Sequence, residues 1–188
     1  MAKRKIRVGL DFDGVVAYNP ARLVRAGVKW FKKQVLGINK LSFMVPEGAL
    51  MKWLWIAAHE SSVFPAHGVE RLKQLSQSEE IEFYLITGRF PILEKHLLNW
   101  LVRNNLEDKF KLITLNRNYD QPHTFKLKTV EKLGLDYFVE DNLDIVMYLK
   151  GKTKAQIFWI YNLIDKRHVY EFMFPDLDAA LKKISPKK

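Results

Sequence analysis

The chain has 188 residues, 48% hydrophobic and 13% aromatic, which is enough to build one real core and too apolar for a disordered segment. It holds no cysteine, excluding disulfides and thiolate metal sites and matching an intracellular, cytoplasmic setting; no apolar run approaches a membrane span, and Val8 to Leu10 meets Asp11 too soon for a secretory leader. The net charge of +10 is concentrated at the ends, because Lys3, Arg4, Lys5, Arg7, Lys182, Lys183, Lys187 and Lys188 lie in segments without acids and leave the body only +2. Such tails are usually solvated ends, with nucleic-acid binding as the alternative use.

In chain order, residues 6–10 read as a buried strand that ends in Asp11-Phe12-Asp13-Gly14. Two carboxylates at the carboxyl end of a strand stand where open α/β sheets place ligands; a plain Asp-Gly turn out of the core is the other reading. Asn19-Pro20 and Gly37 bracket a helix over residues 20–36, with Arg22, Arg25, Lys29 and Lys32 as a basic stripe. A second helix follows over 47–59, so residues 18–64 read as a helical insert in a βαβ succession. Alternation resumes with a helix over 67–77, a strand over Ile81–Thr87, and a helix opened by Pro91 and closed by Asn104-Asn105. A strand over Lys111–Leu115 leads to a polar loop, a helix capped by Thr124 and ended by Gly134, and a strand over Tyr137–Glu140. A helix over Asn142–Lys150, a fifth strand over Ala155–Tyr161 and an amphipathic helix over Asp176–Ile184 complete the chain. Apolar strands alternating with helices predict an α/β, Rossmann-like three-layer sandwich, with a parallel sheet of about five strands.

Three further features belong with the Asp11 corner. Leu85-Ile86-Thr87-Gly88-Arg89 ends the second strand with a hydroxyl and a glycine that can present O–H and N–H groups to an anion. Lys126, with Lys128 as its competitor, sits near the start of the helix after Thr124. The fourth strand ends in Glu140-Asp141-Asn142, with Asp144 beyond it, and two acidic strand ends supply oxygens suited to magnesium. Arg89 stays undecided between packing and substrate contact, and His67, His96 and His123 show no metal-ligand spacing.

The series DFDGV, LITGR, a lysine and VEDN, in that order and spacing, resembles the haloacid dehalogenase superfamily of phosphohydrolases and phosphotransferases. Within it the chain looks most like small-capped phosphatases of the 5′(3′)-deoxyribonucleotidase type. The resemblance implies a core domain of residues 1–17 and 65–188, with a small helical cap at 18–64. It also implies a magnesium-dependent phosphatase acting through an aspartyl-phosphate on a small phosphorylated metabolite such as a nucleotide. By position, Asp11 would be the nucleophile and Asp13 the acid and base, which requires a proton on Asp13 and a raised pKa. Asp11, the Asp13 backbone carbonyl and Asp141 would hold the metal, and Thr87, Gly88 and Lys126 the phosphoryl oxygens, with Glu140 and Asp144 as outer groups. The cap would choose the substrate, with a planar base stacking on Trp30, Phe31, Phe43, Trp53 or Trp55, although two short helices equally need such rings to pack on each other and on the core. A phosphatase acting on nucleic-acid ends, and a silent scaffold binding phosphorylated ligands or proteins, are the alternatives.

Overall fold

The computed structural model describes residues 4–19, 48, 64–162 and 165–184. Both helices expected in the insert, with their aromatic residues and basic stripe, lie outside the described residues.

Six strands form one sheet: β1 (Ile6–Leu10), β2 (Ile81–Thr87), β3 (Leu112–Leu115), β4 (Tyr137–Glu140), β5 (Gln156–Ile160) and β6 (Met173–Phe174). Their order is β3-β2-β1-β4-β5-β6, and every neighbouring pair is parallel. The sequence predicts about five strands; the sixth, β6, is two residues long, too short for a periodic pattern to reveal. Among the described residues the helices are α1 (Val69–Ser76), α2 (Glu94–Arg103, after a 3-10 turn at Pro91–Leu93), α3 (Pro122–Leu133), α4 (Leu143–Leu149) and α5 (Leu177–Lys183). Among the described residues, no helix is long and apolar enough to cross a membrane.

Side chains alternate across each strand, so β2 sends Phe83 and Leu85 to one face and Tyr84 and Ile86 to the other. The first face packs on Leu72 of α1, Leu97, Trp100 and Leu101 of α2, and Leu177 and Leu181 of α5. The second packs on Val130 of α3 and on Ile145, Val146 and Leu149 of α4. This is a three-layer sandwich, with β1 and β4 inside and covered on both faces. At Gly9 of β1, a Cβ would stand 2.5 Å from Leu135 Cδ1 and 2.9 Å from Phe138 Cδ2, so glycine lets those side chains close over the central strand.

Helix α3 begins earlier than the sequence suggests. Pro122 occupies its first position and Gln121 its cap, with Thr124 and Phe125 donating their N–H groups to the Gln121 carbonyl, so Thr124 lies inside the first turn. Proline's fixed φ suits that first position and outweighs the capping preference of threonine. Gly134 ends the helix in the left-handed conformation, as expected.

Two devices fasten the sheet's surroundings. Gly68 caps α1 at φ 111°, and a Cβ there would lie 2.3 Å from the Asp178 backbone nitrogen, so the starts of α1 and α5 touch backbone to backbone. Asp178 then joins the helices, accepting from Arg71 Nε at 2.6 Å while Lys182 Nζ approaches at 2.6 Å. At the other device, the chain leaving the core at Tyr18 donates its N–H to the Phe64 carbonyl (2.8 Å), and Ala17 bridges Pro65 in antiparallel fashion.

Two outcomes follow for stability. Gly9→Ala forces a methyl into a filled layer and destabilises by about 1–3 kcal/mol in urea denaturation. Ion pairing with Lys182 and Arg71 holds the Asp178 carboxyl down at about 2, so its contribution is present above an ordinary pKa of 3.8 and is lost as pH falls through about 2. Asp178→Asn therefore melts at a lower temperature than the natural chain at neutral pH, and the gap narrows between pH 4 and pH 2 (both about) in thermal melts.

Candidate active site

From β1 the chain runs to β2 and β3 on one side, then returns through α3 to β4 on the other, so the strand order reverses between β1 and β4. Ligands of open α/β sheets bind outside the strand ends at such a crevice. Leu10 lies beside Leu85 of β2 and Val139 of β4, and the Asp11 N–H still donates to the Val139 carbonyl (3.0 Å). Beyond Asp11 the chain closes on itself: Val16 and Ala17 donate to the Phe12 carbonyl, and Gly14, at φ 87°, donates to Ala17. Asp11 and Asp13 are thereby fixed at 5% and 9% exposure.

The second helical turn of α3 brings Lys126 into the same crevice. Its Nζ lies 3.0 Å from Asp11 Oδ2 and 2.7 Å from Glu140 Oε2, with all three residues buried. Lys128, two residues on, is exposed and 3.6 Å from Asp120. The other Glu140 oxygen accepts from the Asn142 N–H (3.0 Å), and Trp159 Nε1 donates to the Asp141 carbonyl (3.2 Å). Asp144 is only half-buried at the start of α4, where its N–H donates to Asn142 Oδ1.

Burial pushes the Asp11 carboxyl up to about 6, against the pull of Lys126 and with Asp141 and Asp13 adding to the rise. Burial likewise takes Glu140 up to about 8, Lys126 opposing and Asp11 and Asp141 assisting. For Lys126 burial disfavours the charge, but Asp11 and Glu140 outweigh it and hold the ammonium above its ordinary value. One ammonium shared between two acids cannot offset the burial of both, so the acids rise although each is ion-paired.

The carboxylates of Asp11, Glu140 and Asp141 bring donor oxygens within 4.8 Å of one another, all buried. This all-oxygen, anionic set fits a hard divalent cation such as magnesium. Glu140 offers an oxygen to this group, and the Asp13 side chain is held by Arg89 instead. Arg89 Nε and Nη2 donate to the two Asp13 oxygens at 2.8 and 2.7 Å, a buried two-point fork that fixes the plane of the carboxyl group. Thr87, 1% exposed at the end of β2, accepts the Arg89 N–H on Oγ1 (3.2 Å), and Gly88 packs 3.5 Å from Pro122.

Sequence reading left Arg89 undecided, though its place beside the Thr87 strand end was a signal. It passed over Asn116, which is fully buried and holds the following loop through Asp120, donating to that carbonyl (2.6 Å) and accepting its N–H (3.0 Å). A second group, His67, Asp176 and Asp178, also has donor atoms within 4.8 Å, but Asp176 caps α5 and Asp178 is held by Arg71 and Lys182. A cavity of about 380 Å³ lies at the other end of the strands, beside Lys5, Ile81 and Lys111 where β1, β2 and β3 begin, away from the carboxylate crevice.

The sheet order, with acids at the ends of its two central strands, defines a haloacid dehalogenase-like α/β fold. Among solved structures the chain is similar to CbbY from Rhodobacter sphaeroides in complex with phosphate, at 12% identity and TM-score 0.59 over 93% of this chain and 96% of that one. It is similar too to beta-phosphoglucomutase from Clostridium difficile, at 15% identity and TM-score 0.58 over 93% and 92% of the two chains. YfnB from Bacillus subtilis, described as a HAD-hydrolase and bound to magnesium, matches at 14% identity and TM-score 0.57 over 94% and 96%. No protein-family profile and no curated protein sequence matches the chain.

The buried acids yield a pH prediction. Asp11 and Glu140 bind protons more tightly folded than unfolded, so in EDTA the melting temperature falls as pH rises from 3.8, through about 6, to about 8. Magnesium chloride raises the melting temperature most at the alkaline end of that window and least at the acid end, as read in paired melts.

Proposed function

We propose that this chain is a magnesium-dependent phosphomonoester hydrolase that works through an aspartyl-phosphate on a small phosphorylated metabolite, a nucleotide being one such. The observation that carries this reading is the buried group Asp11, Lys126, Glu140 and Asp141 at the β1/β4 crevice. The fold it shares with a phosphate complex and with a magnesium-bound protein supports it.

In this reading an Asp11 oxygen attacks phosphorus while the ester oxygen departs, taking a proton from Asp13. Water, surrendering a proton to Asp13, then attacks the same phosphorus, releasing Asp11 and inorganic phosphate. Lys126 meets the phosphoryl oxygens with a fixed positive charge, and Thr87 and Gly88 border the same strand end as hydrogen-bonding groups. Positioned charge of this kind supplies most of the rate in phosphoryl transfer. A magnesium ion, held by Asp11, Asp141 and Glu140, with the Asp13 carbonyl as a further ligand by resemblance, would neutralise charge on the phosphoryl group. Residues 18–64 form the substrate-selecting insert and the rest the core, a division supported by the antiparallel bridge between Ala17 and Pro65. The basic amino-terminal segment lies at the opposite end of β1 from Asp11, and its Arg4 pairs with Asp136 (3.2 Å), so a nucleic-acid-end substrate gains no support from it.

Hydrolysis of an aryl phosphate with magnesium, repeated with chelator and with Asp11→Asn, tests the proposal. Turnover should vanish with chelator and fall at least about 10³-fold in Asp11→Asn, the scale of losing a covalent nucleophile. Turnover that survives Asp11→Asn unchanged would overturn it.

A further inference from the structure

Arg89 sits outside every role assigned above, yet it is among the most constrained side chains of the site. It is 4% exposed, and its guanidinium carbon lies 4.5 Å from the centre of the Phe12 ring. Phe12 in turn meets Trp100 edge to face at 5.0 Å. The Arg89 backbone is tied at both ends, its N–H to Thr87 Oγ1 (3.2 Å) and its carbonyl to the Asn116 N–H (3.0 Å). From that fixed base both Asp13 oxygens are gripped, at 2.8 and 2.7 Å.

A buried arginine-carboxylate pair is a weak device for stability, because apolar residues of equal volume often do as well. Its strength is geometry, since a two-point fork fixes the carboxylate plane as well as its location.

Resting on the hydrolase reading, we infer that Arg89 is the positioning residue for Asp13: its fork aims the carboxyl group that protonates the departing alcohol. Arg89 acts through Asp13 rather than on the phosphoryl group. Its effect is therefore confined to substrates whose leaving group needs a proton, and it depends on Asp13 being present.

The test compares kcat/KM, which reports the first chemical step, for an alkyl phosphate and for p-nitrophenyl phosphate, whose phenolate departs with little help. Arg89→Ala should cost about 100-fold on the alkyl substrate, within the range of general-acid catalysis, and under about 10-fold on the aryl one. In an Asp13→Asn background, Arg89→Ala should add no further loss on either substrate. Equal losses on both substrates, a further loss without Asp13, or a rise in KM alone would overturn the inference. Should Arg89→Ala not fold, Arg89→Lys carries the same comparison, since lysine keeps the charge over Phe12 but cannot form the fork. Arg89→Lys with the natural ratio of alkyl to aryl activity overturns it equally. A natural chain inactive on both phosphates fails the hydrolase reading itself, a result distinct from an active enzyme indifferent to Arg89.

Discussion

The Lys126 ammonium, standing 3.0 Å from Asp11 and 2.7 Å from Glu140, is the interaction on which the crevice depends. Removing one partner of a buried ionic group typically costs about 3–5 kcal/mol, because the charge left behind has neither water nor counter-ion. Here the partners are unequal in number, with Asp141 as a third carboxylate beside one ammonium. The imbalance raises Asp11 and Glu140 above the ordinary carboxylate range, and it makes the site receptive to added positive charge, whether as protons or as a divalent cation.

The fold creates this crowding by reversing strand order at β1. Asp11 ends one central strand and Glu140-Asp141 ends the next, so carboxylates 129 to 130 positions apart in sequence become neighbours across a single ladder. The two acids of the β1 corner then part company. Asp11 faces the ammonium of α3, while Asp13 faces the guanidinium beyond β2, so a two-residue spacing presents them to different cations. Residues two apart in a strand share a face, so the parting comes from the turn the chain makes after β1, closed by Gly14 donating to the Ala17 carbonyl.

Much of this was legible in the sequence, and the exceptions have physical causes. The strand ends were readable because buried parallel strands are continuous apolar runs, and polar residues stand out where they stop. Spacing to the fourth strand favoured Lys126 over Lys128 without settling the choice. Two positions on a helix differ by about 200°, so one turns inward and the other outward, but which does so depends on where α3 starts. Pro122 rather than Thr124 sets that start. The Arg89 fork joins residues 76 apart and leaves no periodic trace. That Lys126 reaches Glu140 is likewise invisible to sequence, and β6 is too short to carry a pattern.

The seam at Ala17 and Pro65 gives the core a modular character. Because Tyr18 and Phe64 are hydrogen-bonded to each other, the sheet and its carboxylates are closed off before the intervening chain begins. The entropy of a loop grows only with the logarithm of its length, each doubling costing roughly 0.6 kcal/mol, so this seam tolerates wide changes in what it encloses. The length of chain between Tyr18 and Phe64 can therefore change at little entropic cost while the corner that begins at Asp11 stays closed.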